Sequence, residues 1–461
     1  MRNTKLQLKK IASSKTIKEM FSNVTWDMID KLAFLSIIFI VLSPISQILM
    51  NVYSYIIYGI EHDYYYTISS AESFTCVIGL LTIILYTGKN IVRKYRFSDF
   101  AKENNTIIFF ALFTLLMIVS TCINGFTDYA IYGGETRHES IFTYMYYFII
   151  YYFCASIINS KNLKAFLSYS FIFGSLLMGI LVIIHVYISP IPMFVHFENQ
   201  TMLTSIFTNS NHYGYYLVIS IVLSSSLFVL EENKLLKAIC MLNFIINNII
   251  LIINNTLGAY IACFMGLVFN IIVLFICNKK INSLSLLMLF IFIAISAIMT
   301  IWYDTILISL YILFSDVKKI SSNTEDAASS GSGRWQLWKK TIEYIKEKPL
   351  FGHGLDGIAE RLDKEAGSER THNEFLQYTV FFGIPAGIMY VCGIMSTYLK
   401  ALKYKHRLDI YSISSLIAAF GYLVSSFFGI SKFYTAPFLF IFLGFGFVGN
   451  KEKINTKEDL I

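Results

Sequence analysis

Four short stretches concentrate residue types able to do chemistry. One is Arg370-Thr371-His372-Asn373-Glu374. An imidazole is near neutrality at working pH and can take a proton from a hydroxyl. The plainer alternative is an interfacial histidine held by a backbone carbonyl. A second stretch is Gly331-Ser332-Gly333-Arg334-Trp335-Gln336-Leu337-Trp338. An arginine at a helix start, after a glycine-rich turn, can meet a phosphate twice. Its guanidinium pairs bidentately, and the free N–H groups of the helix start add donors. The alternative is a surface arginine on an amphipathic helix. A third is Phe207-Thr208-Asn209-Ser210-Asn211-His212-Tyr213-Gly214, whose asparagines could cap a helix or hydrogen-bond sugar hydroxyls. The fourth, Gly133-Gly134-Glu135-Thr136-Arg137-His138-Glu139, reads otherwise as a glycine turn with a charged tip.

Whatever these residues do, apolar helices must position them. The 461-residue chain is 56% hydrophobic and only 15% charged, against about a quarter charged in a soluble domain. Apolar runs of about 20 residues recur, the length that crosses a bilayer as a helix. Twelve spans are predicted, near 32–51, 70–88, 106–125, 141–159, 166–188, 213–230, 239–255, 257–277, 283–303, 374–398, 410–428 and 433–449. The pair 239–255 and 257–277 is split by Asn254, Asn255, Thr256 and Gly258, a tight hairpin. Lys and Arg gather in 1–31, 88–105, 160–165, 231–238, 278–282, 399–409 and 450–461, whereas the short loops of the other side hold only Arg137 and Lys432. By the positive-inside rule both termini are cytoplasmic.

The layout expected is therefore a basic segment 1–31, helices across 32–303, an outer loop 304–372, helices across 373–449 and a tail 450–461. The net charge of +7 resides in topological loops, so nucleic acid is not implied as a partner. The N-terminal lysines suit a topology signal or contact with anionic lipid. No cleavable signal peptide is expected, because the first 30 residues are polar and basic. Seven cysteines fall in or beside apolar runs with no CxxC pair, which argues against a disulfide framework or zinc site. In the outer loop, Thr305 to Phe314 is apolar but too short to span and suits the interface. A flexible Ser/Gly-rich stretch follows, then a helix over 334–348. There Trp335, Trp338, Ile342 and Ile345 form an apolar stripe, Ser332 is a candidate N-cap, and Pro349 is the stop. All four stretches lie on the outer side.

Taken in order, Gly-Gly-x-x-Arg (133–137), Phe-x-Asn-x-Asn (207–211), Gly-Arg-Trp-x-x-Trp (333–338), Pro-Leu-Phe-Gly-His-Gly (349–354), His-Asn-Glu-Phe-Leu (372–376) and Gly-Ile-Pro-Ala-Gly (383–387) give the chain a resemblance. It resembles the O-antigen ligase and O-antigen polymerase (Wzy-type) superfamily over most of its length. The resemblance implies an all-α polytopic fold of about 12 transmembrane helices with one large outer loop, similar to the C-type glycosyltransferases. It implies transfer of a glycan from a polyprenyl diphosphate lipid to an acceptor glycan, lipid or protein, outside the cytoplasmic membrane, with no metal or other cofactor. By motif, Arg334 would hold the donor diphosphate and His372 would act on the acceptor hydroxyl as base or orienter. Arg137, Arg370, Asn211, Asn373 and Trp338 are the accompanying substrate-binding candidates.

One departure stands out. Where many members of that family carry an arginine at the start of a span, this chain reads Asn254-Asn255-Thr256-Leu257-Gly258-Ala259-Tyr260. Leucine occupies the expected place, so Arg370 or Arg137 would have to substitute. A polymerase of surface-polysaccharide repeat units is the favoured reading, with a ligase as the alternative. A lipid-linked glycan flippase is less consistent with the sequence. Transporters carry ionisable residues within spans or matched broken helices in two halves. Here only one half carries a large outer module. A non-enzymatic assembly protein on the same fold is the third class, separable by Arg334→Ala and His372→Ala.

Overall fold

The computed structural model describes residues 9–59, 64–93, 105–134, 139–156, 158, 160–189, 197–198, 202–207, 209–303, 305–322, 330–331 and 333–447. The elements are almost all helical. The first half has α1 (Ile17–Asn23), α2 (Trp26–Tyr58), α3 (Tyr64–Val92), α4 (Asn105–Asn124), α5 (Asp128–Tyr132), α6 (Ile141–Ser156) and α7 (Lys161–Tyr187). A two-stranded antiparallel hairpin follows, β1 (Phe197–Glu198) with β2 (Met202–Leu203), pairing Phe197 with Leu203. Next come α8 (Ser210–Leu230), α9 (Lys234–Asn254), α10 (Leu257–Asn278), α11 (Ser283–Met299), α12 (Thr305–Ser321), α13 (Arg334–Glu347) and α14 (Ala359–Ala366). The chain closes with α15 (Glu374–Phe382), α16 (Ile384–Lys403), a 3-10 turn (Lys405–Arg407), α17 (Ile410–Ser426) and α18 (Ala436–Phe445).

This is an all-α membrane protein. Six helices, α2, α4, α7, α8, α9 and α10, are long and apolar enough to cross a bilayer, and five shorter apolar helices lie among them. α8 is the axis. Nearly all of its residues are buried, and it packs on α9, α10 and α17. A helix apolar all round belongs in such a place. Where lipid surrounds a protein, helices gain little from hydrophobic burial against one another, so close packing and polar contacts hold them. The contacts are present: Asn243 Nδ2 donates to Ser220 (2.8 Å) and Ser224 (2.7 Å), and Asn247 Nδ2 to Asn243 Oδ1 (2.7 Å) and Ser175 (3.2 Å). These bonds lock α7, α8 and α9. At one end of the bundle, buried Lys164 donates to Ser412 (2.8 Å) and to the Phe445 carbonyl (3.2 Å), joining α7 to α17 and α18.

Three expectations are corrected. The predicted span 374–398 is not one helix. It breaks at Gly383, whose φ of 93° and ψ of 164° cannot continue a helix, into α15 and α16. The apolar stripe of α13 is also rotated from the predicted one. Its buried residues are Leu337, Thr341, Tyr344 and Ile345, while Ile342 is 44% exposed. Both tryptophans turn instead to a cleft. The N-cap of α13 is Gly333, at φ 80°; Ser332 lies outside the described residues.

Candidate active site

α13 opens on the cleft. An open hollow with about 1260 Å³ of empty space lies between α13, α12, the start of α8 and the α9–α10 turn. Arg334, Trp335 and Trp338 form one wall, and Ile312, Leu313 and Asp316 of α12 another. Asn211, Asn255, Thr256 and Leu257 line it as well. Among the described residues that line it, Arg334 is the only cation and Asp316 the only acid. Asp316 is occupied: it accepts from Gly331 N at 2.8 Å and lies 3.9 Å from Lys319. Arg334 makes no ion pair with a described residue. Its surroundings push its pKa below the ordinary guanidinium value through burial, with Tyr215 acting the other way. An arginine keeps its proton regardless. The result is a fixed positive charge, half-buried, facing a hollow with a largely apolar wall.

Leu257 lines this same cleft. The place where the family pattern carries a second arginine is therefore apolar here, and Arg334 stands alone among the described lining residues.

His372 is held next door. Its φ is 48°, a left-handed conformation that a side chain enters at a cost of about 1–3 kcal/mol unless the surroundings enforce it. They do so on both sides. Thr371 N and Oγ1 both donate to Gln377 Oε1, at 3.1 and 3.0 Å, and Thr371 Oγ1 also donates to the Asn373 carbonyl at 2.8 Å. Asn373 caps α15 by accepting from Leu376 N at 3.0 Å. The link to the cleft is Trp338, whose indole N–H donates to the Thr371 carbonyl at 3.0 Å. One tryptophan thus lines the cleft beside Arg334 and fixes the residue preceding His372.

The loop 349–358 is locked to the break between α15 and α16. The last carbonyls of a helix lack helical partners. Here Val380 and Phe381 carbonyls accept from His353 N and Gly354 N, both at 2.9 Å, and Ile384 N donates to the Pro349 carbonyl at 2.8 Å. A Cβ at Gly352 would fall on the Phe381 carbonyl, and one at Gly383 on the Leu350 carbonyl. Pro-Leu-Phe-Gly-His-Gly and Gly-Ile-Pro-Ala-Gly are two halves of one backbone joint. His353 is buried within it, bonded through Nε2 to the Tyr344 carbonyl at 2.8 Å. Burial pushes its pKa down, and that bond only partly opposes the shift.

Arg370 has another job from the one expected. It is 1% exposed and lines none of the described cleft. Its Nε donates to Glu139 (3.1 Å), its Nη1 to Asp356 (2.7 Å), and its Nη2 to the Tyr129 hydroxyl. Burial pulls its pKa down, but Glu139, Tyr129 and Asp356 more than offset that and raise it. With its fork so engaged, it is not placed to stand in for the absent arginine at Leu257. Asn373 is a cap with its oxygen engaged, whereas Asn211 lines the cleft, its N and Nδ2 both bonded to Asn209 Oδ1 at 2.9 and 3.2 Å. Arg137 lies outside the described residues.

The stretch that builds this site also carries a family match. Residues 242–391 match the O-antigen ligase family, Wzy_C. The match runs from within α9 into α16 and includes Leu257, Arg334, Trp338, Arg370, His372 and Asn373. It supports the O-antigen ligase/polymerase family and a membrane glycan ligase or polymerase activity in general terms, with lipid-linked oligosaccharide and an acceptor as partners. Among curated proteins, none matches.

Sequence reading missed several parts of the site. The α12 wall was read only as an interfacial stretch. Glu374 was given no role, yet it is buried in the first turn of α15 and accepts from the Tyr390 hydroxyl at 2.6 Å. A buried carboxyl in the first turn of a span was a signal present in the sequence.

Proposed function

We propose that this chain is a glycosyltransferase of the cytoplasmic membrane that uses polyprenyl-diphosphate-linked glycans at its outer face and polymerises repeat units of a surface polysaccharide. The observation that carries the proposal is Arg334: a cation without an acidic partner among the described residues, at the rim of an open cleft with apolar and aromatic walls. A lipid diphosphate has that complementary form, an anionic head on an apolar chain. The wider topology belongs to the same reading. It has twelve crossings, both termini inside, and 304–372 as the outer module.

In this reading the acceptor hydroxyl oxygen attacks the anomeric carbon of the donor sugar. The bond from that carbon to the diphosphate breaks, and the diphosphate leaves with the electron pair. His372 takes the hydroxyl proton or orients the hydroxyl. Charge grows on the leaving oxygen as the bond breaks, so a fixed guanidinium favours the transition state over the ground state. Trp338 holds the two groups in one frame through the Thr371 carbonyl. Asn211 is a sugar-binding candidate on the opposite wall.

Transfer to a lipid or protein acceptor is the second reading, favoured by the description of the matched family as O-antigen ligase. A glycan profile of cells carrying wild type, Arg334→Ala or His372→Ala at matched membrane levels separates the two. Loss of long chains with accumulation of a single lipid-linked repeat supports polymerisation. Long chains that stay on the carrier support ligation. An untouched profile, in a background where deletion is defective, contradicts both and favours a flippase or a non-enzymatic role.

A further inference from the structure

The end of α16 remote from the cleft carries a second site-like feature. A hollow with about 770 Å³ of empty space lies between α4 and α16. Phe109, Met395 and Leu399 give it an apolar wall, while Ser396, Lys400 and Lys403 line its polar part. Lys400 is 8% exposed, and its ammonium has no hydrogen-bond partner among the described residues. It lies 5.3 Å from the Phe447 ring. A buried ammonium without an acceptor is costly in a low-dielectric setting. Lysines elsewhere at this end are satisfied, as Lys164 is by Ser412 and the Phe445 carbonyl.

The surroundings add to the pattern. Lys403 and Arg407 both stack on the Tyr404 ring, at 5.1 and 4.9 Å. On the other side of α16 lies an apolar groove with about 730 Å³ of empty space, between α10, α16 and α17, with Lys405 in its lining. Leu399 is common to both hollows. A cationic patch therefore sits at the ends of two apolar grooves that share one ridge.

We propose that this is a binding site for an anionic diacyl phospholipid: the phosphate beside Lys400 and Lys403, one chain in the α4–α16 hollow and the other across Leu399. Turned from its enclosed place by the Phe447 ring toward the hollow, the Lys400 ammonium gains from a phosphate oxygen the acceptor it lacks, and the two grooves accept the chains. Ordinary bilayer lipid would cover the same apolar surface without regard to headgroup charge, so the headgroup is the test.

The experiment uses the full chain purified in neutral detergent and thermal unfolding with added phosphatidylglycerol or phosphatidylcholine. Phosphatidylglycerol is expected to raise the unfolding midpoint more than phosphatidylcholine does. Lys400→Met is expected to weaken the half-saturating phosphatidylglycerol concentration about tenfold. Equal effects of the two lipids would overturn the proposal, as would an unchanged response of the variant. Inorganic phosphate is the third arm; if it reproduces the shift alone, a free anion site replaces the lipid site. Should Lys400→Met not fold, Lys403→Gln at an exposed position is read by native mass spectrometry. Fewer retained phosphatidylglycerol molecules than in wild type are expected, and equal retention overturns the site.

Discussion

Two arginines near one another in the family motif order divide the labour between chemistry and architecture. Arg334 has no ion-pair partner among the described residues, so Arg334→Ala is expected to leave the unfolding midpoint near wild type and to lower turnover about 10²–10³-fold, the range for removing one preorganised donor. Radiolabel transfer from a lipid-linked donor in membranes measures it. Arg370→Ala is expected to do the opposite. It strands Glu139 and Asp356, and breaking a buried pair costs about 3–5 kcal/mol, so folded protein in the membrane should fall. The sequence offered Arg334 as the diphosphate holder and Arg370 as an accompanying substrate-binding candidate. Only burial and the acids brought from residues 139 and 356 separate them, and those contacts are 231 and 14 residues away in sequence. His372 admits a sharper substitution. At φ 48°, His372→Gly relieves backbone strain while removing the imidazole. Stability equal to or above wild type, with activity down about 10²–10⁴-fold, is expected of a general base. A His372→Gly variant that keeps full activity would strip the residue of that role.

Between elements, the backbone joint at Gly383 governs where His372 and Arg334 can sit. Gly352→Ala or Gly383→Ala places a methyl on a carbonyl oxygen in a conformation that side chains rarely adopt. Either change is expected to abolish accumulation of folded protein, measured by detergent-solubilised yield and size-exclusion profile. Retention of a wild-type profile in both would mean the joint is not structural. The motifs were visible in the sequence, but their mutual contact was not. Periodicity reports which residues are apolar and cannot report that two glycines meet backbone to backbone, so 374–398 read as one span. The same joint links stability to pH through His353. His353 titrates in the native state below its ordinary 6.5 because of burial. The unfolded chain therefore binds more protons as pH falls. The native state is fully favoured above about 6.5 and loses ground as pH drops through that value toward the lower native one. The unfolding midpoint is expected to fall more steeply below this pH in wild type than in His353→Phe, and identical profiles would remove His353 as the cause.

Across the whole molecule, the fold class was legible because apolar run length and charge depletion are global signals that no single contact can override. Most predicted spans fall on helices, but the first runs Trp26–Tyr58 rather than 32–51, and 374–398 is two helices. The centre of the bundle did not follow, since nothing in α8's composition announces that it contacts α9, α10 and α17 rather than lipid. Its serines carry that information only in retrospect, through the bonds from Asn243 and Asn247. Asn247→Leu is expected to cost about 0.6–2 kcal/mol, by chemical or thermal unfolding in detergent, with no change of activity per folded molecule. The cleft depends on this assembly as a whole, because α8, α10, α12 and α13 each give it a wall. The central claim is that Arg334 recognises the diphosphate of a lipid-linked donor there. Its most direct test is the affinity of purified wild type and Arg334→Ala for a polyprenyl diphosphate, compared with the monophosphate of the same chain. Wild type is expected to favour the diphosphate, and the variant to lose at least about tenfold in diphosphate affinity while its monophosphate affinity changes less. Equal diphosphate binding by wild type and Arg334→Ala would contradict the account.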